Sequence, residues 1–178
     1  MAIKKYHVSK NLFSSSWEQG GIDANTGQNT ISNTIIRTID YIEIETDTIY
    51  SMTRSIGGGE DSYISLRLYD ENKNYIGSGT WRSIQLISGR SESNPMRGNI
   101  NFCCFKVLSS TNAKYLRLQD TTNNLATQFM MVEGEYTAQT MPSYEPYGDT
   151  WQTIPYKRYE NGEWVEYNDK KYENGQWT

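Results

Sequence analysis

Apolar residues in this chain alternate with polar ones, and no stretch of any length repeats them at the i, i+3, i+4, i+7 spacing of an amphipathic helix. "YIEIE" (41–45) places Ile42 and Ile44 on one face. "YISLRLY" (63–69) places Ile64, Leu66 and Leu68 on one face and Tyr63, Ser65, Arg67 and Tyr69 on the other. "NYIGSGTWRSIQLI" follows the polar turn "DENKN", which predicts a hairpin. "NINFCCFKVL" (99–108) is apolar on both faces and reads as a central strand covered on two sides. "KYLRLQ" (114–119) and "TQFMMVEG" (127–134) complete a set of seven or eight short strands separated by Gly-, Asn- and Ser-rich turns. The pattern predicts an all-β chain: an antiparallel jelly-roll β-sandwich with a small C-terminal β-hairpin or meander extension.

The boundaries follow from breaks in that pattern. Residues 1–10 read as an N-terminal arm, 11–149 as the jelly roll and 150–178 as the hairpin repeats. The segment 11–40 lacks alternation and is rich in Gly, Asn, Ser and Thr, so it reads as a long ordered loop crossing the sandwich surface. The end of the chain nearly repeats itself, "KRYENGEW" and "KKYENGQW". Asn-Gly at the centre of each copy predicts two-residue turns that set Tyr159 opposite Trp164, Lys157 opposite Glu166 and Tyr172 opposite Trp177. Whether the two aromatic pairs share a face depends on the turn at Asn168-Asp169. The 13-residue period and two copies do not suit a solenoid of cell-wall-binding repeats, which need longer units and more of them.

Composition excludes several function classes. There are 17 basic and 21 acidic residues, interspersed, for a net charge of −4, and no basic block marks a nucleic-acid partner. No apolar run approaches the roughly 18 residues of a membrane span, and "MAIKKYHVSK" has no apolar signal-peptide core, so synthesis and folding in a reducing cytoplasm are expected. The two cysteines, Cys103 and Cys104, are adjacent and build no disulfide framework. A single histidine, His7, offers no oriented base. Glu133 and Glu135 lie two apart, as a glycosidase pair could, but Glu133 is expected to accept backbone donors in the closing turn instead. "SIGGGED" lacks the Lys-Ser/Thr of a phosphate loop. "DENKN" has the oxygen-rich look of a calcium turn without the EF-hand spacing, so it reads as a plain hairpin turn. No cofactor is expected, a structural Ca²⁺ there being the single candidate.

The material for saccharide binding is better. A sugar presents apolar C–H faces and many hydroxyls, so its site needs aromatic platforms beside directional hydrogen-bonding groups. The 14 Tyr and 5 Trp supply platforms. Trp17 sits in the long polar loop and Trp81 follows Gly-Ser-Gly-Thr, neither in an alternating strand. Arg67 shares a strand face with Tyr63, and Arg37 stands where the loop joins the sandwich. Trp17, Arg37, Tyr63, Arg67 and Trp81 are therefore the expected carbohydrate-binding residues.

In order along the chain, "KNLFSSSWEQGGIDANTGQ", "IIRTIDYIEIE", "LRLYDENKNYIG", "AKYLRLQD" and "MMVEGEYTAQTMPSYEPYG" resemble the jelly-roll carbohydrate-binding modules of tail and baseplate proteins from phages of Gram-positive bacteria. The closing motif is the most specific, matching at Glu133, Gly134, Thr140, Tyr144, Glu145, Pro146 and Tyr147, and the resemblance covers roughly residues 10–149. "SGRSESNPMRGNINFCCFKV" is longer and less regular than in that family. The resemblance implies a non-catalytic module on a virion tail, partnered by host surface polysaccharide and other virion proteins and compatible with a homo-oligomer. The alternative is a structural tail or neck component whose jelly roll makes only protein contacts.

Overall fold

The alternating segments become strands of two antiparallel sheets laid face to face. The computed structural model describes residues 3–7, 10–55, 62–80, 82–121, 125 and 128–148, and beyond them the backbone of strands at 150–154, 156–160, 163–167, 172–173 and 176–177. In chain order the strands are β1 (Ile3–His7), β2 (Trp17–Gln19), β3 (Gly21–Ile22), β4 (Asn29–Thr30), β5 (Ile36–Thr38), β6 (Ile42–Glu43), β7 (Ile49–Arg54), β8 (Tyr63–Tyr69), β9 (Tyr75–Ser78) and β10 (Ile84–Ser88). Then come β11 (Met96–Arg97), β12 (Phe102–Val107), β13 (Tyr115–Asp120), β14 (Phe129–Glu133), β15 (Thr150–Ile154), β16 (Tyr156–Glu160), β17 (Glu163–Tyr167), β18 (Tyr172–Glu173) and β19 (Gln176–Trp177). Lys10–Tyr147 make one compact unit; Met1–Ser9 and Gly148–Thr178 make another.

The larger unit is an all-β sandwich. One sheet runs β10-β12-β7-β14. The other runs β11-β8-β13-β5-β2, with β9 added beside β8 and β6 beside β13. Long strands pass from sheet to sheet, β7 to β8, β12 to β13 and β13 to β14, as jelly-roll connections do. Ile42, Ile44, Ile64, Leu66, Leu68, Leu116 and Leu118 from one sheet meet Tyr50, Met52, Cys103, Phe105, Val107, Phe129 and Met131 from the other. Burying aliphatic side chains of this size stabilises by roughly 1.5–3 kcal/mol each. At one end of the core, the Arg54 guanidinium on β7 meets Asp120 on β13 at 3.2 Å, both side chains fully buried.

β12 lies between β10 and β7, and both cysteines are buried, Cys103 toward the core and Cys104 on the other face. Burial pushes the Cys103 thiol well above its ordinary pKa. The outer face of β14 is buried too, at Met130 and Val132, beside the closing segment, where the Tyr136 N–H donates to Ser51 Oγ at 3.1 Å.

Two expectations need correction. Residues 11–40 are not one long loop: β2 and β5 extend the larger sheet, and β3 and β4 form a short hairpin. Arg37 explains this, because its Nη1 donates to the carbonyls of Gly21 and Thr30 while its Nε bonds Glu18 at 2.7 Å. Glu133 is exposed, and among the described residues no backbone donor reaches its carboxylate; that task falls to Glu145, whose Oε1 accepts from the Lys10 N–H.

In the smaller unit β1 pairs with β15, β16 with β17 and β18 with β19. Tyr159 stands opposite Trp164, Lys157 opposite Glu166 and Tyr172 opposite Trp177, the registers that two-residue Asn-Gly turns impose. Among the described residues β17 and β18 do not pair, so the extension is two hairpins, not a meander. The Asn168-Asp169 turn lies outside the described residues.

Candidate functional site

The sheet face turned away from the core carries rows of polar side chains, set by the β8–β13 register. Ser65 faces Gln119, Arg67 faces Arg117 and Tyr69 faces Tyr115. Strand geometry alone makes each pair neighbours on one face. The β3–β4 hairpin lies over these rows. Gln119 Oε1 accepts from the Ile22 N–H at 2.7 Å, and the Tyr69 hydroxyl donates to the Gly27 carbonyl at 3.0 Å. The Tyr75 hydroxyl donates to the Ala24 carbonyl at 2.6 Å. Asp23 shapes the turn itself, accepting from the Asn25 and Thr26 N–H groups, which hold its carboxyl below the usual range.

Between this hairpin and the 70–75 turn opens a cleft of about 490 Å³. Tyr41, Tyr69 and Tyr75 give it aromatic walls. Pairing with β13 breaks between β5 and β6, and the break lets Tyr41 swing its ring edge-on to Tyr69 at 4.9 Å and toward Tyr115 at 6.0 Å. Two cations flank that ring: Lys73 Nζ at 5.0 Å and the Arg117 guanidinium at 5.4 Å from its centroid. Asn25, Gln28, Asn29 and Asn74 add amide groups. The Arg117 fork donates to the Thr38 carbonyl and to Asn29 Oδ1 at 2.8 Å, tying strand, break and hairpin together.

The 70–74 turn is a hairpin turn. Asp70 accepts from the Asn74 side chain and from the Asn74 and Asn72 N–H groups, which lowers its pKa, and Lys73 takes the left-handed conformation at φ 63°. Among the described residues no three His, Cys, Asp or Glu side chains gather as metal ligands.

The expected binding residues do not converge. Arg67 lies beneath the hairpin, one strand from the cleft wall. Arg37 clamps the base of the same hairpin and spends its donors there. Trp17 instead packs on the core edge, 5.5 Å from Phe13 and edge-on to Phe129 at 5.9 Å. Tyr63 is at the far end of β8, six residues or about 20 Å from Tyr69. Trp81 lies outside the described residues. The residues the structure gathers at the cleft instead are Tyr41, Lys73, Tyr75 and Arg117. The available signal was the Arg-x-Tyr of "RLY" and its reverse, the Tyr-x-Arg of "YLRL", in which antiparallel pairing sets Arg opposite Arg and Tyr opposite Tyr.

Burial raises the Tyr69 hydroxyl to about 12, and burial likewise raises Tyr50. Below pH 10 both states keep these protons, so stability is unaffected. Between about pH 10 and 12 the unfolded chain ionises first, and stability falls as pH rises. Alkaline titration followed by tyrosinate absorbance should show these phenols ionising late and together with unfolding.

The fold and site define a β-sandwich with a tyrosine-walled, amide- and guanidinium-lined cleft under a surface hairpin. Comparisons with protein-family models, curated proteins and solved structures return no match.

Proposed function

We propose that this cleft binds saccharide and that the chain is a non-catalytic glycan-binding module, carried on a phage tail and serving attachment to host surface polysaccharide. The observation that carries the reading is the meeting of three tyrosine rings with amides and a guanidinium fork in one open polar cleft. Rings cover the C–H faces of a sugar, while Asn and Arg groups satisfy its hydroxyls in pairs. The lining offers side-chain amides, hydroxyls and two cations, but no carboxylate pair of the kind glycoside cleavage uses. The phage setting rests on the resemblance of the chain's motifs to tail modules. An open site of this kind binds weakly by itself, and many copies on a tail would turn weak binding into avidity.

A glycan array probed with a multivalent fluorescent form of the chain tests this. Tyr41→Ala is expected to abolish array binding, a loss of at least about tenfold, while the unfolding midpoint stays near that of the parent. Array binding that survives Tyr41→Ala removes the cleft from the mechanism. No binding to any glycan by a folded, multivalent chain favours the structural role in the virion.

A further inference from the structure

We infer that the ligand of this cleft is an acidic saccharide, whose carboxylate or phosphate sits against Arg117 and Lys73 in the field of Arg67. The inference rests on the saccharide-binding reading of the cleft and adds the charge of what it binds. Arg67 and Arg117 are cross-strand partners, 6% and 4% exposed, so two buried arginine side chains spring from neighbouring positions on one sheet face. Like charges placed directly opposite repel, and buried charges are ordinarily paired. Among the described residues neither has a carboxylate in ion-pair range. Arg67 donates to its neighbouring Leu66 carbonyl at 3.2 Å, and its Nε is buried with no partner. Arg117 uses three of its five N–H donors on Thr38 and Asn29, leaving two. The exposed Lys73 ammonium stands over Tyr41 and Tyr115, also without an ion pair among the described residues.

The nearby acids offset this charge only at a distance, with no ion pair to Arg67, Arg117 or Lys73 among the described residues. Asp23 feels the Arg67 charge without an ion pair to it, its Oδ1 accepting from the Asn25 and Thr26 donors. Asp70 closes the 70–74 turn with both oxygens, and Glu43 pairs with Lys114 at 2.9 Å. Two cations, Lys73 and Arg117, therefore line a cleft to which the described residues bring no acidic side chain, and Arg67 stands one strand away. Arg67 contributes nothing evident to the fold that a neutral side chain of equal size would not. Retaining a buried guanidinium there with no ion-pair partner among the described residues is costly unless an anion arrives in its field. A uronate carboxylate and a sugar phosphodiester share the required chemistry, since both fit the guanidinium fork.

The test titrates isotope-labelled protein with glucuronate, with the methyl ester of glucuronate and with glycerol phosphate, reading chemical shifts at Tyr41, Tyr75 and the Arg117 side chain. At least one of the two anions is expected to shift these signals, less so as salt rises, while the ester, which keeps the sugar and loses the charge, shifts them weakly. A response to glucuronate alone assigns a carboxylate, and one to glycerol phosphate alone assigns a phosphate. Arg67→Met should weaken the anion about tenfold and leave the unfolding midpoint unchanged or raised. Lys73→Gln, at an exposed position, should weaken it about fivefold in an intact fold. Equal responses to glucuronate and its ester, no cleft response to either anion, or unchanged anion affinity in both variants overturns the inference. The saccharide reading would then stand or fall on the glycan array alone.

Discussion

Asp120→Ala is expected to destabilise the sandwich by about 3–5 kcal/mol, the range for removing one partner of a buried ion pair. The Arg54 guanidinium has no route to water, since both side chains of the pair are fully buried. Its other bonds go to Asn101 Oδ1 at 3.2 Å and the Gly98 carbonyl at 3.0 Å, so it cannot swing away without abandoning them. Loss of the carboxylate leaves a desolvated charge with neutral acceptors only. Urea unfolding followed by circular dichroism should show a lower midpoint with an unchanged slope, because the surface exposed on unfolding is the same. The double variant Arg54→Met/Asp120→Val should recover much of the loss, but not all, as Asn101 and Gly98 lose a donor. A single variant as stable as the parent would mean that water reaches Arg54 and that this end of the core is open.

The contrast between Arg54 and Arg67 shows how far a sequence can be read. Ile64, Leu66 and Leu68 announce a buried face by their period, and they occupy the core. The same alternation puts Arg67 and Tyr69 on the opposite face but cannot say whether that face is wet. It is covered by the β3–β4 hairpin, and nothing in local pattern forecasts where a Gly- and Asn-rich segment will lie. Trp17 was drawn toward the ligand by its polar neighbours, yet its ring reaches Phe13 and Phe129, the second 112 positions away in sequence. Tyr41 was legible as the outward residue of an alternating strand. Its role comes from the pairing break at 39–41, a property of how β13 meets β5 and β6 together. Burial against water is set by remote segments, and binding residues depend on that burial.

Gly27→Ala is expected to lose ligand binding by more than about tenfold while costing the fold only about 1–2 kcal/mol. Gly27 sits at φ 69°, in the left-handed region, and a Cβ there would lie 2.4 Å from Tyr75 Cγ and 2.6 Å from Tyr75 Cβ. Those atoms are the root of the side chain, so rotating the ring does not relieve the overlap. Either the hairpin lifts or β9 shifts. Lifting is easier, since the hairpin is held here by the Tyr69 and Tyr75 hydroxyls on the Gly27 and Ala24 carbonyls, and those bonds then break. Global stability can fall by no more than the free energy of detaching that hairpin, which is why the expected cost is small. The cleft loses one wall outright. Gly27→Asn separates the two causes, because Asn tolerates the left-handed conformation yet carries the same Cβ. Binding should be lost in both variants on the glycan array, with unfolding midpoints close to the parent. If Gly27→Asn binds normally, backbone strain alone was at work and the Tyr75 contact is softer than its geometry; if both bind normally, the hairpin is no part of the ligand site.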